Sequence, residues 1–236
     1  MLTFDIHGAQ IQGARRRQED RFGIRRIGGL TIIVVADGLG GHPCGDRAAQ
    51  LGMNAVFDYV EQAVQQGAVE SRTDMLVLAI EAAHKRIRQT AGRHRDPDSG
   101  GRCSGMATTL VVACVSPDLD RLHYACVGDS LLLRPSVDDI EYIAGPEGES
   151  NWVSSAAGFS LKVVECNETG IPIAAGDKLL LATDGLLTVP MTEVAEVLMA
   201  SDTAEAASYR LLRYVEEAKR EYQDNATVVA LYVGGK

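Results

Sequence analysis

Residues 31–46 read Thr31-Ile-Ile-Val-Val-Ala-Asp-Gly-Leu-Gly-Gly-His-Pro-Cys-Gly-Asp46. The β-branched run from Ile32 to Val35 is of the kind a sheet buries on both faces. It ends in a carboxylate, Asp37, followed by Gly38, Gly40 and Gly41, so the strand delivers one acid into a turn where backbone can approach closely. A lone Asp-Gly is most simply an ordinary turn. Here the pattern recurs, in Ala125-Cys-Val-Gly-Asp129-Ser and in Leu181-Ala-Thr-Asp184-Gly. Two further acids, Asp20 and Asp224, stand just before the apolar runs Phe22–Ile24 and Ala226–Val233. In an antiparallel sheet, strand ends and strand starts share one edge. Carboxylates gathered there repel one another unless cations neutralise them. Oxygen-only donors point to hard ions, Mg²⁺ or Mn²⁺, which retain several waters. A pair of such ions can clamp a phosphoryl group and acidify a water.

The bulk properties fit that reading. The chain has 236 residues, 46% hydrophobic and 23% charged, with a net charge of −9. This argues against a nucleic-acid or anionic-membrane binder, which needs a basic face. No apolar run approaches the roughly 20 residues of a membrane span, and the start, Met1-Leu-Thr-Phe-Asp-Ile-His7, lacks the features of a signal peptide. A cytoplasmic monomer with one domain over residues 1–236 is the expectation. The five cysteines (44, 103, 114, 126 and 166) contain no Cys-x-x-Cys pair, so buried thiols are expected in preference to disulfides or a zinc site.

Leu2, Phe4 and Ile6 alternate with polar residues as a half-buried strand does. Short strands follow at 21–27 and 30–36. The period then changes: Ala48, Leu51, Ala55, Val56, Tyr59, Val60 and Ala63 predict an amphipathic helix ending near Gly67. Thr73 is read as the cap of a second, carrying Leu76, Ile80, Ala83 and Ile87. His84 is expected on its exposed side, and the polar loop 93–105 is expected to be mobile. Strands are predicted at 107–115, 122–127, 131–134, 140–143, 161–166, 178–182 and 226–233, and helices at 192–199 and 203–222. Helices segregated from meandering strands indicate an α+β layered sandwich and not βαβ repeats.

These residues resemble the metal-dependent Ser/Thr phosphatases of the protein phosphatase 2C type. The resemblance is carried in order by Arg15-x-x-x-Glu19-Asp20, Asp37-Gly-Leu-Gly-Gly-His42 with Gly45-Asp-x-Ala48, Gly105-Met-Ala-Thr-Thr-Leu110, Val127-Gly-Asp-Ser130, Ala182-Thr-Asp-Gly-Leu186 and Asp224-Asn-Ala-Thr227. It implies a four-layer α-β-β-α sandwich of two antiparallel sheets flanked by helix pairs, with two Mn²⁺ or Mg²⁺ ions at one end and a weak third. In that scheme Asp37 bridges both metals, the Gly38 carbonyl binds the first, and Asp184 and Asp224 complete the second site. Asp20 and Glu19 (through water) lie at the metal edge, Asp129 serves the third ion, and Asn225 orients Asp224. Arg15 binds the substrate phosphate, as a guanidinium fork suits.

The implied reaction is hydrolysis of protein phosphoserine and phosphothreonine by a water activated between two metals, with no phosphoenzyme. The implied partners are phosphorylated proteins and a Ser/Thr kinase. Leu39 occupies the position of a histidine proposed elsewhere as proton donor, which leaves His42 or a metal-bound water. Leu131 replaces the usual Arg, and 134–150 contain no Asp-His-Ser and little room for a flap, so a more open cleft is expected. Asn151–Gly158 resembles the stretch that follows the flap, with Trp152 read as a core anchor. One alternative, from a different class, is a phosphatase-like regulatory or binding domain without turnover; another keeps the enzyme and gives it a small phosphorylated metabolite as substrate.

Overall fold

A computed structural model describes residues 1–39, 44–69, 71–96, 100–136, 139–145, 155–162 and 164–235. His42 and Trp152, together with Gly40, Gly41 and residues 146–154, lie outside the described residues. Two antiparallel sheets form the middle of the molecule. One is ordered β1 (Leu2–Ile11), β11 (Ala226–Gly235), β10 (Lys178–Ala182), β6 (Leu131–Pro135) and β7 (Ile140–Ala144). The other is ordered β2 (Arg21–Ile27), β3 (Leu30–Ala36), β4 (Leu110–Val115), β5 (Arg121–Val127) and β8 (Glu165–Cys166), with β9 (Ile171–Pro172) also on β5. Helices α1 (Gly45–Gln65) and α2 (Arg72–Thr90) cover the second sheet; α3 (Met191–Ala200) and α4 (Ala204–Glu217) cover the first.

The sequence pattern explains the layering. Strands in the middle of a sandwich bury both faces and therefore read as unbroken apolar runs. In β3, Ile33 and Val35 face the other sheet, where they meet a cluster containing Val111, Leu132, Leu181 and Val229. Ile32 and Val34 face the helices, in a cluster with Phe57, Leu76 and Ile80. The expected α-β-β-α sandwich is therefore the observed one.

Register then determines what meets at one end. Arg21 pairs with Ala36, Leu110 with Val127, Ile11 with Ala226, Ala182 with Val228, and Ala182 with Leu131. The residues just beyond these pairs are Asp20, Asp37, Asp129, Asp184 and Asp224, so both sheets deliver their acids to the same rim.

Several expectations need correction. Helix α2 is capped by Ser71, whose hydroxyl accepts from the Asp74 N–H at 3.2 Å; Thr73 is buried and donates instead to the Asn167 carbonyl. His84 is half-buried and its Nδ1 accepts from the Gly158 N–H at 3.1 Å. The predicted strand at 161–166 contracts to Glu165–Cys166, and the start of 107–115 forms isolated bridges before β4. Helix α4 stops at Glu217, short of Tyr222, and Lys219 adopts φ 48°.

The cysteine reading is overturned for one pair. Cys44 and Cys103, with Cα atoms 5.6 Å apart, form a disulfide; Cys114, Cys126 and Cys166 are free thiols. The bond closes a span of 59 residues and clips the 100–105 segment to the start of α1. Nothing local in the sequence marks such a pairing. Constraining an unfolded loop of that length is worth about 4 kcal/mol in the chain-entropy picture, and measured values run near 2–4. Reduction, or Cys44→Ala with Cys103→Ala, is expected to lower Tm by roughly 5–15 °C in a thermal melt. An unchanged Tm would show that the bond does not hold this loop.

Candidate metal and phosphate site

The rim is assembled by hydroxyls as well as acids. Asp20 is fully buried, and its Oδ2 accepts from Thr183 Oγ1 at 2.9 Å and Thr227 Oγ1 at 2.8 Å. One residue of β2's sheet is thus clamped by two from the other sheet. Thr183 Oγ1 also accepts the Thr227 N–H at 2.9 Å, so the clamp is itself fixed. Asp37 is held through its backbone. Its N–H donates to Thr109 Oγ1 at 3.1 Å, and its carbonyl accepts from the Thr109 N–H at 2.8 Å and Thr108 Oγ1 at 2.7 Å. The Thr109 and Ser130 hydroxyls meet at 2.7 Å. The backbone alone leaves the Asp37 carboxylate free to face the other acids.

Gly38 follows in a place no other residue fits: a Cβ there would lie 2.2 Å from the Gly45 carbonyl oxygen. Its N–H donates to the Glu19 carbonyl at 3.3 Å, and the Leu39 N–H to the Ala107 carbonyl at 3.0 Å. Asp184 opens a short 3₁₀ turn, Asp184–Thr188.

Arg15, Arg16 and Arg17, a plain charge run in sequence, separate in the structure. The Arg15 guanidinium pairs with Asp224 Oδ2 at a half-exposed position. Arg17 reaches the buried Asp96 at 2.8 Å, tying the 12–20 loop to the loop clipped by the disulfide. Arg16 is exposed. Asn225 also differs from expectation. Its Oδ1 accepts the Glu19 N–H, and its Nδ2 donates to the carbonyls of Gln12 and Arg17. Only its backbone N–H reaches Asp224, at 2.8 Å. Its side chain braces the arginine loop and does not orient the neighbouring acid.

The electrostatics show what the cluster lacks. Burial raises the Asp37 carboxyl well above the carboxylate range, and Asp20, Asp184, Asp224 and Asp129 each push it further. Burial lifts Asp20 to about 7, against the pull of its two threonine hydroxyls. Asp129 rises to about 6 through burial and then Asp184. Asp184 is raised by burial and Asp224, and eased by a hydrogen bond with the Asp37 carboxyl. Glu19 is raised by burial and then by Asp46. Asp20 Oδ1 and Asp184 Oδ1 are buried without a hydrogen-bond partner.

Among the described residues no three His, Cys, Asp or Glu side chains form a ready-made ion cage. Mg²⁺ and Mn²⁺ sites need none, since a few carboxylates and retained waters suffice. Orphaned buried carboxylate oxygens, and carboxyls raised by burial and by one another, are what a divalent cation relieves. The donors present fit such ions.

Thr183, Thr227, Thr108 and Thr109 were given no role from sequence. Each stands inside one of the quoted motifs, next to or near an acid, and that adjacency was the available signal.

A sequence profile described as protein phosphatase 2C matches residues 8–221. A serine/threonine phosphatase stp from Listeria monocytogenes is 28% identical over 211 residues, covering 80% of each chain. In fold, the serine/threonine phosphatase Stp1 of Staphylococcus aureus superposes with a TM-score of 0.81 at 20% identity, over 99% of this chain and 96% of that one. The catalytic domain of the phosphatase PstP, solved with two manganese ions, gives 0.77 at 22% identity over 100% of both chains.

The raised carboxyls make a signed prediction. A carboxyl whose folded pKa exceeds its unfolded value stabilises the fold at low pH and loses that contribution as pH rises through the folded value. Without metal, Tm should fall between pH 5.5 and 8, and Asp20→Asn should recover on the order of 5 °C at pH 8. Added Mn²⁺ should raise Tm more at pH 8 than at pH 5.5. A flat melt across that range, with no response to Mn²⁺, would contradict the cation reading.

Proposed function

Because the chain belongs to the protein phosphatase 2C family, we propose that it is a phosphatase of phosphoserine and phosphothreonine in proteins, dependent on Mn²⁺ or Mg²⁺. The observation that carries this reading is the convergence of Asp20, Asp37, Asp184 and Asp224 from both sheets, with orphaned oxygens, beside the half-exposed Arg15. Asp37, Asp184 and Asp224 would hold the ions, with the Gly38 carbonyl, Asp20 and Glu19 (through water) at the edge and Asp129 toward a third. When bound, the ions supply Lewis-acid polarisation of the phosphoryl oxygens and acidify water.

The chain's own residues do the rest. Thr183 and Thr227 fix Asp20 across the two sheets, and Thr108 and Thr109 fix the Asp37 backbone. Arg15 exchanges Asp224 for the substrate phosphate, where its fork binds two oxygens. The attacking oxygen comes from water in one in-line displacement: the new P–O bond forms as the ester P–O bond breaks, and the alkoxide takes a proton. A thiol nucleophile does not fit. Burial raises Cys114 to about 12 and pushes the Cys126 and Cys166 thiols up as well, away from the thiolate form a nucleophile needs. Leu39 has no proton to give, so the donor would be His42 or a water acidified by the ions.

The substrates implied are phosphoproteins, among them targets of a Ser/Thr kinase or the kinase itself. Hydrolysis of p-nitrophenyl phosphate with Mn²⁺ tests the site. Asp37→Asn and Asp184→Asn should each cost at least about 100-fold in kcat/KM, the loss of several kcal/mol of charge stabilisation. Full activity in either variant would remove that acid from the site. Arg15→Ala should mainly raise KM, by about tenfold, because it grips phosphate in ground and transition states alike. A kcat collapse at constant KM would refute that role.

A further inference from the structure

A cavity of about 480 Å³ opens beside the arginine loop, between the turn after β1 and the end of α4. Its floor is apolar, from Ile11 and Val215, and its rim carries Lys219 and Arg220 with Glu216 as the opposing charge. The volume is within the range of sites that take a ligand's side chain. Gly13 forms part of the wall at φ 62°, where a Cβ would meet the Asp224 carbonyl at 2.3 Å. The wall of the cavity is therefore continuous with the backbone that carries Asp224.

Two features of the rim call for explanation. Lys219 and Arg220 are exposed, and among the described residues neither is in an ion pair, in a chain of net charge −9. Lys219 also sits at φ 48°, just past a helix end, where glycine is the residue that costs least. A cation near a helix C-terminus gains from the macrodipole, but that gain does not require a side chain at the left-handed position itself. Arg16 is a third exposed cation without an ion pair among the described residues, one residue from Arg15.

We propose that this cavity is a specificity subsite that takes an acidic side chain of the substrate, two or three residues from the phosphorylated one, with Lys219 and Arg220 as its recognition charges. The inference rests on the phosphoprotein reading above. Gln12 and Arg15 are three residues apart, so their backbones are separated by at most about 10 Å, a span that an extended peptide crosses in about three residues. Charge complementarity selects a carboxylate or a second phosphate over a neutral or basic flank, and the apolar floor receives the side chain's stem.

The test pairs turnover with binding. Two phosphothreonine peptides differing only in Glu or Gln at the flanking positions are compared with p-nitrophenyl phosphate, using the parent and Lys219→Gly/Arg220→Ala. Glycine suits φ 48°, so the fold is expected to be kept or stabilised, and a melt checks this. The parent should show a KM about tenfold lower for the Glu peptide, and the variant should lose that preference. kcat for both peptides and activity on p-nitrophenyl phosphate should be unchanged. Lys219→Glu/Arg220→Glu should turn the preference toward a Lys-flanked peptide. Anisotropy of the labelled Glu peptide reads binding without turnover. A parent inert toward every substrate, yet binding that peptide through Lys219 and Arg220, would sink the phosphatase reading and keep the subsite. Normal turnover with equal KM values for the two peptides would overturn the subsite, as would no peptide binding by an inert parent.

Discussion

Carboxylates held partly out of water and against one another are the constraint on which this structure turns. Folding buries enough apolar surface between the sheets to force Asp20, Asp37, Asp129 and Asp184 to one rim, with the half-exposed Asp224 beside them. Their charges then oppose the compaction that brought them together. Burial, the chief cause for both, lifts Asp20 to about 7 and Asp129 to about 6, and the neighbouring acids add to it. In a metal-free protein the rim is relieved by protons, by threonine hydroxyls and by Arg15. Each is a partial substitute for a divalent charge, and each is displaceable or leaves an oxygen unmatched. A rim so arranged is one that a divalent cation would relieve.

The same constraint explains the division of labour around the rim. Hydroxyls fix positions without adding charge, which is why threonine recurs at 108, 109, 183 and 227 beside the acids. Two of them bind Asp20 from the opposite sheet, so the distance between the sheets is set partly at the site itself. Arginines add charge but at the edge, where they can let go. Arg15 is on Asp224, Arg17 is anchored on the buried Asp96, and Asn225 braces the backbone between them. One arm of the loop thus ends on Asp224 while the other is held, through Asp96, to the segment fastened by the Cys44–Cys103 bond.

The acids were legible in the sequence because each is a local event: an apolar run that ends or begins at a carboxylate. The first helix pair is legible for a similar reason, as a change of period at Asp46. What escaped depends on distant partners. Thr183 and Thr227 lie 163 and 207 residues from Asp20, and no spacing rule joins them. Cys44 and Cys103 meet only because α1 and the 93–105 loop share one edge. The end of α4 is not legible because Lys219 takes a conformation that composition assigns to glycine, and the cap of α2 is Ser71, not Thr73, because the Thr73 hydroxyl is turned to the Asn167 carbonyl. The Asn225 side chain was assigned to its sequence neighbour when its partners lie in the arginine loop.

A divalent-cation site held partly protonated until it is filled must give up protons as the ion enters. Calorimetric titration of Mn²⁺ into the metal-free protein at pH 7, repeated in buffers of different ionisation enthalpy, tests this directly. Binding should be accompanied by net proton release, with both affinity and proton release reduced in Asp37→Asn. Absence of Mn²⁺ binding, or binding that releases no protons and survives Asp37→Asn unchanged, would contradict it.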